Sequence, residues 1–344
     1  MNAFLPALLD GLRNDRSKHY QFLISLREVI LRHDVDGLEF SPHKDLIFSV
    51  LFENSRDEEE NIRSIVAECL GKVASMSNDS SELVEMTKDK DPFSRWTAAT
   101  AIRFCPLTLN AEEIPFAALI DDENLAIRQT ILMTLNSVVH HNSGILRKHI
   151  EGILGPVYKH MYQNDALKRT VDLGPFKQKI DDGLPIRKAA FTLMGSVLDT
   201  LLEKVDLGPF MDPLKSGLGD KQTDVQMLCH QIVVRMCTSV PSAVIGGFDD
   251  YMKDALTKTI KKKMKEGEVG TTKERGNDVI RSALRVVDNI SLIPEMLVKH
   301  ATFKQFVEDT CKNHSEKVKT MYFMIQSDRG RNAGSRSSAA NAKK

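Results

Sequence analysis

Five stretches of this chain open alike, and their recurrence restricts the possible fold more than any other feature. They are DEEENIRSIVAECL (57–70), DPFSRWTAATAI (91–102), DENLAIRQTILMTL (122–135), DDGLPIRKAAFTLM (181–194) and DKQTDVQMLCHQIV (220–233). In each, an acid or turn is followed by an apolar residue, then Arg or Gln, then small and apolar residues. The aligned positions are Arg63, Arg95, Arg128, Arg187 and Gln226, with spacings in the thirties except for a wider one between 128 and 187. A two-helix unit of that length cannot bury its apolar face alone, but stacked units share a continuous core. The expected fold class is therefore all-α: a HEAT-repeat α-solenoid, a superhelix of about eight antiparallel helix pairs. Small residues such as Ala67, Ala98, Ala99, Ala189 and Ala190 suit close helix packing. Asp57, Arg63, Asp121, Arg128, Asp181 and Arg187 read as structural, the acids and arginines bonding between neighbouring repeats.

Apolar residues at helical spacing support the array. Leu5, Leu8, Leu9 and Leu12 form one stripe; Phe22, Leu23, Leu26, Val29 and Ile30 form another. Ser41 and Pro42 read as cap and first turn of a third helix. Further stripes recur to Val318, Met321, Tyr322 and Ile325. The array is expected over 1–326, with a polar, basic, disordered tail at 327–344.

Forty-seven basic residues balance 47 acidic ones, which argues against a dedicated nucleic-acid face. No window reaches the roughly 18 apolar residues of a membrane span. The five cysteines (Cys69, Cys105, Cys229, Cys237, Cys311) have no paired spacing and suit a reduced compartment; a soluble intracellular protein is expected.

One insert breaks the helical pattern. In TVDLGPFKQKIDD (170–182), Val171 and Leu173 alternate with polar residues before Gly174-Pro175, and Phe176, Gln178 and Ile180 alternate with Lys177 and Lys179 after it. A period of two on both sides of a turn reads as a β-hairpin at about 168–182, with Gly174 taking the positive φ of a two-residue turn. A short helix fits as well. VDLGPF recurs at 205–210, where Asp206 reads as a cap ahead of Met211, Leu214 and Leu218.

Residues that invite chemistry do not assemble into a site. His140, His141, His149 and His160 lack a ligand spacing on one helix face. Cys229 and Cys237 fall on an apolar stripe, as core thiols do. Trp96 reads as a core or interface anchor, and the basic stretch 253–265 as a solvated helix face or a site for an acidic partner. No phosphate-binding glycine motif or nucleophile elbow occurs. No catalytic residue, cofactor or metal is expected.

From GPFKQKIDDGLPIRKAAF (174–191) the sequence resembles the carboxy-terminal region of the cullin-associated, neddylation-dissociated family. The likeness continues through NIRSIVAECLGK (61–72), DDENLAIRQTILMTLNSVVHH (121–141), ILGPVYKHMY (153–162), SVLDTLLEKVDLGPFMDPLKSGLGD (196–220), CTSVPSAV (237–244) and KERGNDVIRSALRVVDNISLIPE (273–295). The resemblance implies a HEAT solenoid that wraps an unmodified cullin in a cullin-RING complex. Its carboxy-terminal repeats would grip the cullin's amino-terminal helical region, and a β-hairpin would enter the adaptor site, so that substrate receptors exchange. It places the hairpin at about Lys168–Asp182, with Val171, Leu173, Gly174, Pro175, Phe176, Lys177, Lys179 and Ile180 as the partner-binding residues. Phe176 and Ile180 would enter a groove while Lys177 and Lys179 face a polar rim. Family chains are several-fold longer, so the resemblance implies either that this sequence is a piece of a longer chain or that a separate chain carrying the amino-terminal repeats is a further partner. The alternative is a general HEAT scaffold or transport adaptor, which would not need the insert.

Overall fold

The computed structural model describes residues 4–32, 43–105, 112, 114–172, 174, 177–262 and 270–341, with side chains as far as 329. They divide into two compact units, one of residues 1–160 and 164–205, the other of residues 161–163 and 206–344.

In the first unit, helices run α1 (Phe4–Asn14), α2 (His19–Leu31), α3 (Lys44–Asn54), α4 (Glu60–Ser77), α5 (Ser81–Met86), α6 (Pro92–Ala101), α7 (Phe116–Ile120), α8 (Leu125–Leu146) and α9 (Ile150–Lys159). Two strands come next, β1 (Lys168–Asp172) and β2 (Lys177–Asp181), then α10 (Leu184–Thr200). Consecutive helices pack as the pairs α1–α2, α3–α4, α5–α6 and α7–α8, while the second helices stack in order: α2 on α4, α4 on α6, α6 on α8, α8 on α10. That is the expected solenoid logic. The stripe Leu5, Leu8, Leu9, Leu12 is buried, as are Leu23, Leu26 and Ile30. On α10, Phe191, Leu193 and Met194 are buried, each worth about 1.5–3 kcal/mol relative to exposure. Close approach explains the small residues: Ala98, Ala99 and Ala190 are fully buried.

The second unit contains α11 (Leu207–Leu218), α12 (Thr223–Ser239), α13 (Pro241–Gly247), a π-helical turn at Phe248–Met252, α14 (Lys253–Ile260), α15 (Thr271–Ile290), α16 (Pro294–Val298) and α17 (Ala301–Val307). A second π-turn at Glu308–Lys312 precedes α18 (Glu316–Asn341). Here α11 packs on α12, α12 on α15 and α15 on α18. Phe248 is edge-on to Phe303 and Phe306 at 5.1 and 5.5 Å between centroids, the arrangement aromatic quadrupoles prefer.

The last helix does not end where the polar composition begins. It continues beyond Ser327, and Arg329 donates to Asp288 on α15 at 2.8 Å. The array boundary expected at 326 therefore falls inside a helix. The expected helix start at Ser41-Pro42 and part of the basic stretch, Lys263 and Lys265, lie outside the described residues.

The aligned arginines bond mostly within their own turn. Arg63 donates to the Asp57 carbonyl at 2.6 Å, Arg95 to that of Asp89 at 2.9 Å, and Gln226 to that of Asp220 at 2.7 Å. Arg128 likewise donates to the Asp122 carbonyl. Each acceptor lies six residues upstream, where the chain turns into the second helix of a pair. The carboxylate of the same aspartate accepts the amide N–H two residues on, at Glu59, Asp91, Asn124 and Gln222. One Asp thus closes the turn and presents its carbonyl to one long side chain, which satisfies backbone groups the helix start leaves open. The expectation that acids and arginines bridge neighbouring repeats holds for Arg95, which also grips the Asp122 carboxylate bidentately at 2.8 and 3.0 Å. It fails for Asp121, which pairs instead with Lys159 and His160. Trp96 lies under the Arg63 guanidinium, 5.0 Å from ring to Cζ.

Candidate functional site

The hairpin replaces the tight turn of an ordinary repeat between α9 and α10. Its pairing is antiparallel, with Lys168 opposite Asp181, Arg169 opposite Ile180, Thr170 opposite Lys179, Val171 opposite Gln178 and Asp172 opposite Lys177. Opposite residues share a face and successive residues alternate. One face therefore carries Arg169, Val171, Gln178 and Ile180; the other carries Lys168, Thr170, Asp172, Lys177, Lys179 and Asp181. Unlike charges at Lys168–Asp181 and Asp172–Lys177 favour this register over a slipped one.

The structure resolves the alternative in favour of strands, although the same hexapeptide at 205–210 opens a helix. Both copies begin identically: the Asp172 carboxylate accepts the Gly174 N–H at 3.1 Å, and Asp206 accepts the Gly208 N–H at 3.0 Å. The residues downstream of each copy decide between the two conformations. After Gly208, Phe210, Leu214 and Leu218 are buried at helical spacing. After Gly174, the KQKID segment alternates and has no such stripe. Gly174 has φ +78°, a region that favours glycine. Because Asp172 pairs with Lys177, four residues join the strands, not the two-residue Gly-Pro turn expected. Leu173, Pro175 and Phe176 lie outside the described residues.

The base of the hairpin is bolted to the array. Arg187 is 1 % exposed and donates to the Asp181 carboxylate at 3.0 Å. Asp181 also accepts the Gly183 N–H at 3.1 Å, and the Asp182 N–H donates to the Leu167 carbonyl at 3.0 Å. Arg169 donates to Asp182 at 2.7 Å and Lys168 to Asp165 at 2.5 Å. Asp181 and Arg187 are the six-residue pair of this repeat, used here side chain to side chain. Toward the tip, Val171 is half-buried while Lys177 and Lys179 are exposed, with no ion-pair partner among the described residues. Val171 and Ile180 are diagonal neighbours on one face, separated from Lys177 and Lys179 on the other.

The residues that invited chemistry have structural partners. Ser196 donates to Asn136 at 2.6 Å and meets His140 at 2.8 Å, a contact between α8 and α10 that no sequence spacing announces. His230 is buried, and desolvation lowers its pKa to about 4. Burial pushes the thiols of Cys105, Cys237 and Cys311 up to about 12 and raises those of Cys69 and Cys229 well above the usual thiol range. Among the described residues no group of three or more His, Cys, Asp or Glu side chains is placed to hold a metal ion, and no helix is long and apolar enough to cross a membrane.

Stacked helix pairs carrying one anchored hairpin define an α-solenoid of the HEAT/armadillo type, a class that presents extended surfaces. A chain in the solved structure titled "Kap95p Binding Induces the Switch Loops of RanGDP to adopt the GTP-bound Conformation" aligns over 95% of this chain and 42% of its own, with TM-score 0.59 and 11% identity; that likeness concerns the fold alone. Residues 145–311 match the family described as TATA-binding protein interacting (TIP20). Cullin-associated NEDD8-dissociated protein 1 of Dictyostelium discoideum is 35% identical over 328 residues, 91% of this chain and 26% of that protein. The "Cullin-associated NEDD8-dissociated protein 1, C-terminal part" of Emericella nidulans is 24% identical over 325 residues, 90% of this chain and 30% of that protein. The chain belongs to the cullin-associated NEDD8-dissociated family and corresponds to its carboxy-terminal HEAT-repeat region. It spans about a quarter of the length of such relatives.

Proposed function

We propose that this chain regulates the assembly of cullin-RING ubiquitin ligases in cytoplasm and nucleus, without chemistry of its own. It holds an unmodified cullin by the amino-terminal helical region, and the hairpin takes the volume an adaptor would fill. The observation that carries this reading is the hairpin itself: fixed at its base through Asp181, Asp182 and Arg187, exposed at Lys177 and Lys179, and unnecessary for the array. A scaffold that used only its helices would have no role for it.

The grip comes from many repeats, so the hairpin adds modest affinity and most of the competition. Equilibrium binding with purified cullin-RING complex and adaptor tests this. Replacing residues 171–179 by a Gly-Ser linker should leave cullin binding in place and let adaptor and this chain sit on the cullin together. If the replaced chain excludes the adaptor as strongly as the intact one, the hairpin is not the competing element.

A further inference from the structure

We propose that Thr170 on β1 is a phosphorylation site for a basophilic protein kinase, and that its phosphate, held by Lys179 across the hairpin, clamps the two strands together. Thr170 is the only hydroxyl-bearing residue between Tyr162 and Thr192. It is exposed, and it shares a hairpin face with Lys168, Asp172, Lys177, Lys179 and Asp181. That face is built from three cross-strand pairs. Two are of unlike charge, Lys168–Asp181 and Asp172–Lys177, and they flank Thr170–Lys179. The middle pair has a cation and no anion. Directly opposite residues have Cβ atoms about 4.5–5.5 Å apart, and diagonal ones about 7–8 Å. A phosphate on Thr170 is therefore within reach of Lys179 opposite and Lys177 on the diagonal, both exposed. Phosphorylation adds about −1.5 to −2 charge at neutral pH and three acceptor oxygens. It completes a ladder of unlike charges and turns a face of three cations and two carboxylates net negative.

The residues before the hydroxyl are those an acidic kinase cleft selects. Lys168 and Arg169 precede it, and the Arg169 side chain is 59% exposed although it pairs with Asp182. The segment is already extended, and a two-stranded sheet leaves the outer edge of β1 without a ladder partner, so a kinase can approach along it. In the transfer, Thr170 Oγ1 bonds to the γ-phosphorus of ATP and the bond from that phosphorus to the β,γ-bridging oxygen breaks. ADP leaves, and the hydroxyl proton passes to the kinase's catalytic aspartate. One consequence rests on the partner-binding reading above: a hairpin already ordered loses less freedom on docking, so the phosphorylated chain removes an adaptor faster.

The test incubates the full chain with Mg-ATP and the catalytic domains of several basophilic kinases. Mass spectrometry of the digested chain should place phosphate on Thr170, and replacing Lys168 and Arg169 by Gln should slow its appearance about tenfold. With the phosphate in place, hydrogen exchange of the β1 and β2 amides should slow about threefold, the effect of one added cross-strand charge pair. Lys179→Gln should abolish that slowing. No phosphate on Thr170 with any of these kinases, phosphate without slower amide exchange, or equal slowing in Lys179→Gln overturns the proposal. In a measurement of adaptor release from purified cullin, the phosphorylated chain should act about threefold faster than the unmodified one; equal release by both overturns the consequence drawn for the adaptor. If neither chain releases adaptor, the partner-binding reading fails, and the phosphate mapping and amide exchange still decide the clamp.

Discussion

Removing the Arg187 guanidinium should loosen the hairpin and the repeat beneath it at once. In Arg187→Met the Asp181 carboxylate, whose side chain is 12 % exposed, loses its charge partner. Breaking a buried ion pair from one side costs about 3–5 kcal/mol. Asp181 keeps the Gly183 N–H at 3.1 Å, which favours the lower end, about 3 kcal/mol. For a cooperative unit of this size each kcal/mol moves the midpoint by about 2–4 °C, so its thermal transition should fall by about 6–12 °C. Hydrogen exchange supplies a local readout: the Asp182 amide, bonded to the Leu167 carbonyl at the hairpin base, should lose protection before the core helices do. Adding Asp181→Asn to the variant should recover part of the loss, since no charge then stays buried without its partner. A midpoint shift below about 2 °C, with the Asp182 amide still protected, would refute the assignment of Arg187 as the bolt.

Single sites elsewhere give further expected outcomes. Gly71→Ala should destabilise by about 1–2 kcal/mol although alanine is the better helix former: a Cβ there overlaps the Ala101 carbonyl and lies 2.6 Å from Phe104 Cβ, and urea unfolding measures the loss. Asp79 has its pKa lowered from 3.8 to about 2 by hydrogen bonds from Ser81 and then Lys44. Its stabilising effect is present above pH 3.8 and lost as pH falls through about 2. Asp79→Asn should therefore cost up to about 1 kcal/mol at neutral pH, the side chain being partly solvated, and progressively less as pH falls through about 2, read from denaturant midpoints. Iodoacetamide should modify the native cysteines slowly, with half-buried Cys237 first, and all five rapidly on unfolding; fast native labelling of Cys229 would contradict its burial.

The helices were legible because their apolar residues recur at 3.6-residue spacing, and the solenoid because one long polar side chain recurs at the same place in five turns. The partner of that side chain is equally visible in the sequence once the alignment is extended upstream. Asp57, Asp89, Asp122, Asp181 and Asp220 each lie six residues before it, and that longer alignment separates Asp122 from Asp121. The π-turns at 248–252 and 308–312 leave no mark in the apolar spacing, and the ring contact of Phe248 with Phe306 joins residues far apart in the sequence. At the candidate site, alternation permitted the hairpin but did not require it: Val171 and Asp172 end a strand, whereas the same hexapeptide at 205–210 leads into a helix. Alternation along β2 separates Ile180 from Lys177 and Lys179, but that Ile180 shares its face with Val171 is not legible in the sequence, because only the register matches faces across strands. The Ser196–His140 contact joins residues 56 apart and has no local signal.

The central claim is that the hairpin displaces an adaptor, and a dissociation rate tests it most directly. A preformed cullin–adaptor complex, labelled for energy transfer, is mixed with excess unlabelled adaptor and either the intact chain or the chain with residues 171–179 replaced by a Gly-Ser linker. Burying one hairpin side chain such as Ile180 is worth about 1.5–3 kcal/mol, enough to change the rate tenfold or more. The account predicts that the intact chain accelerates adaptor loss by at least that factor and that the replaced chain, still bound to cullin, leaves the rate at its spontaneous value. Equal acceleration by both chains would contradict it.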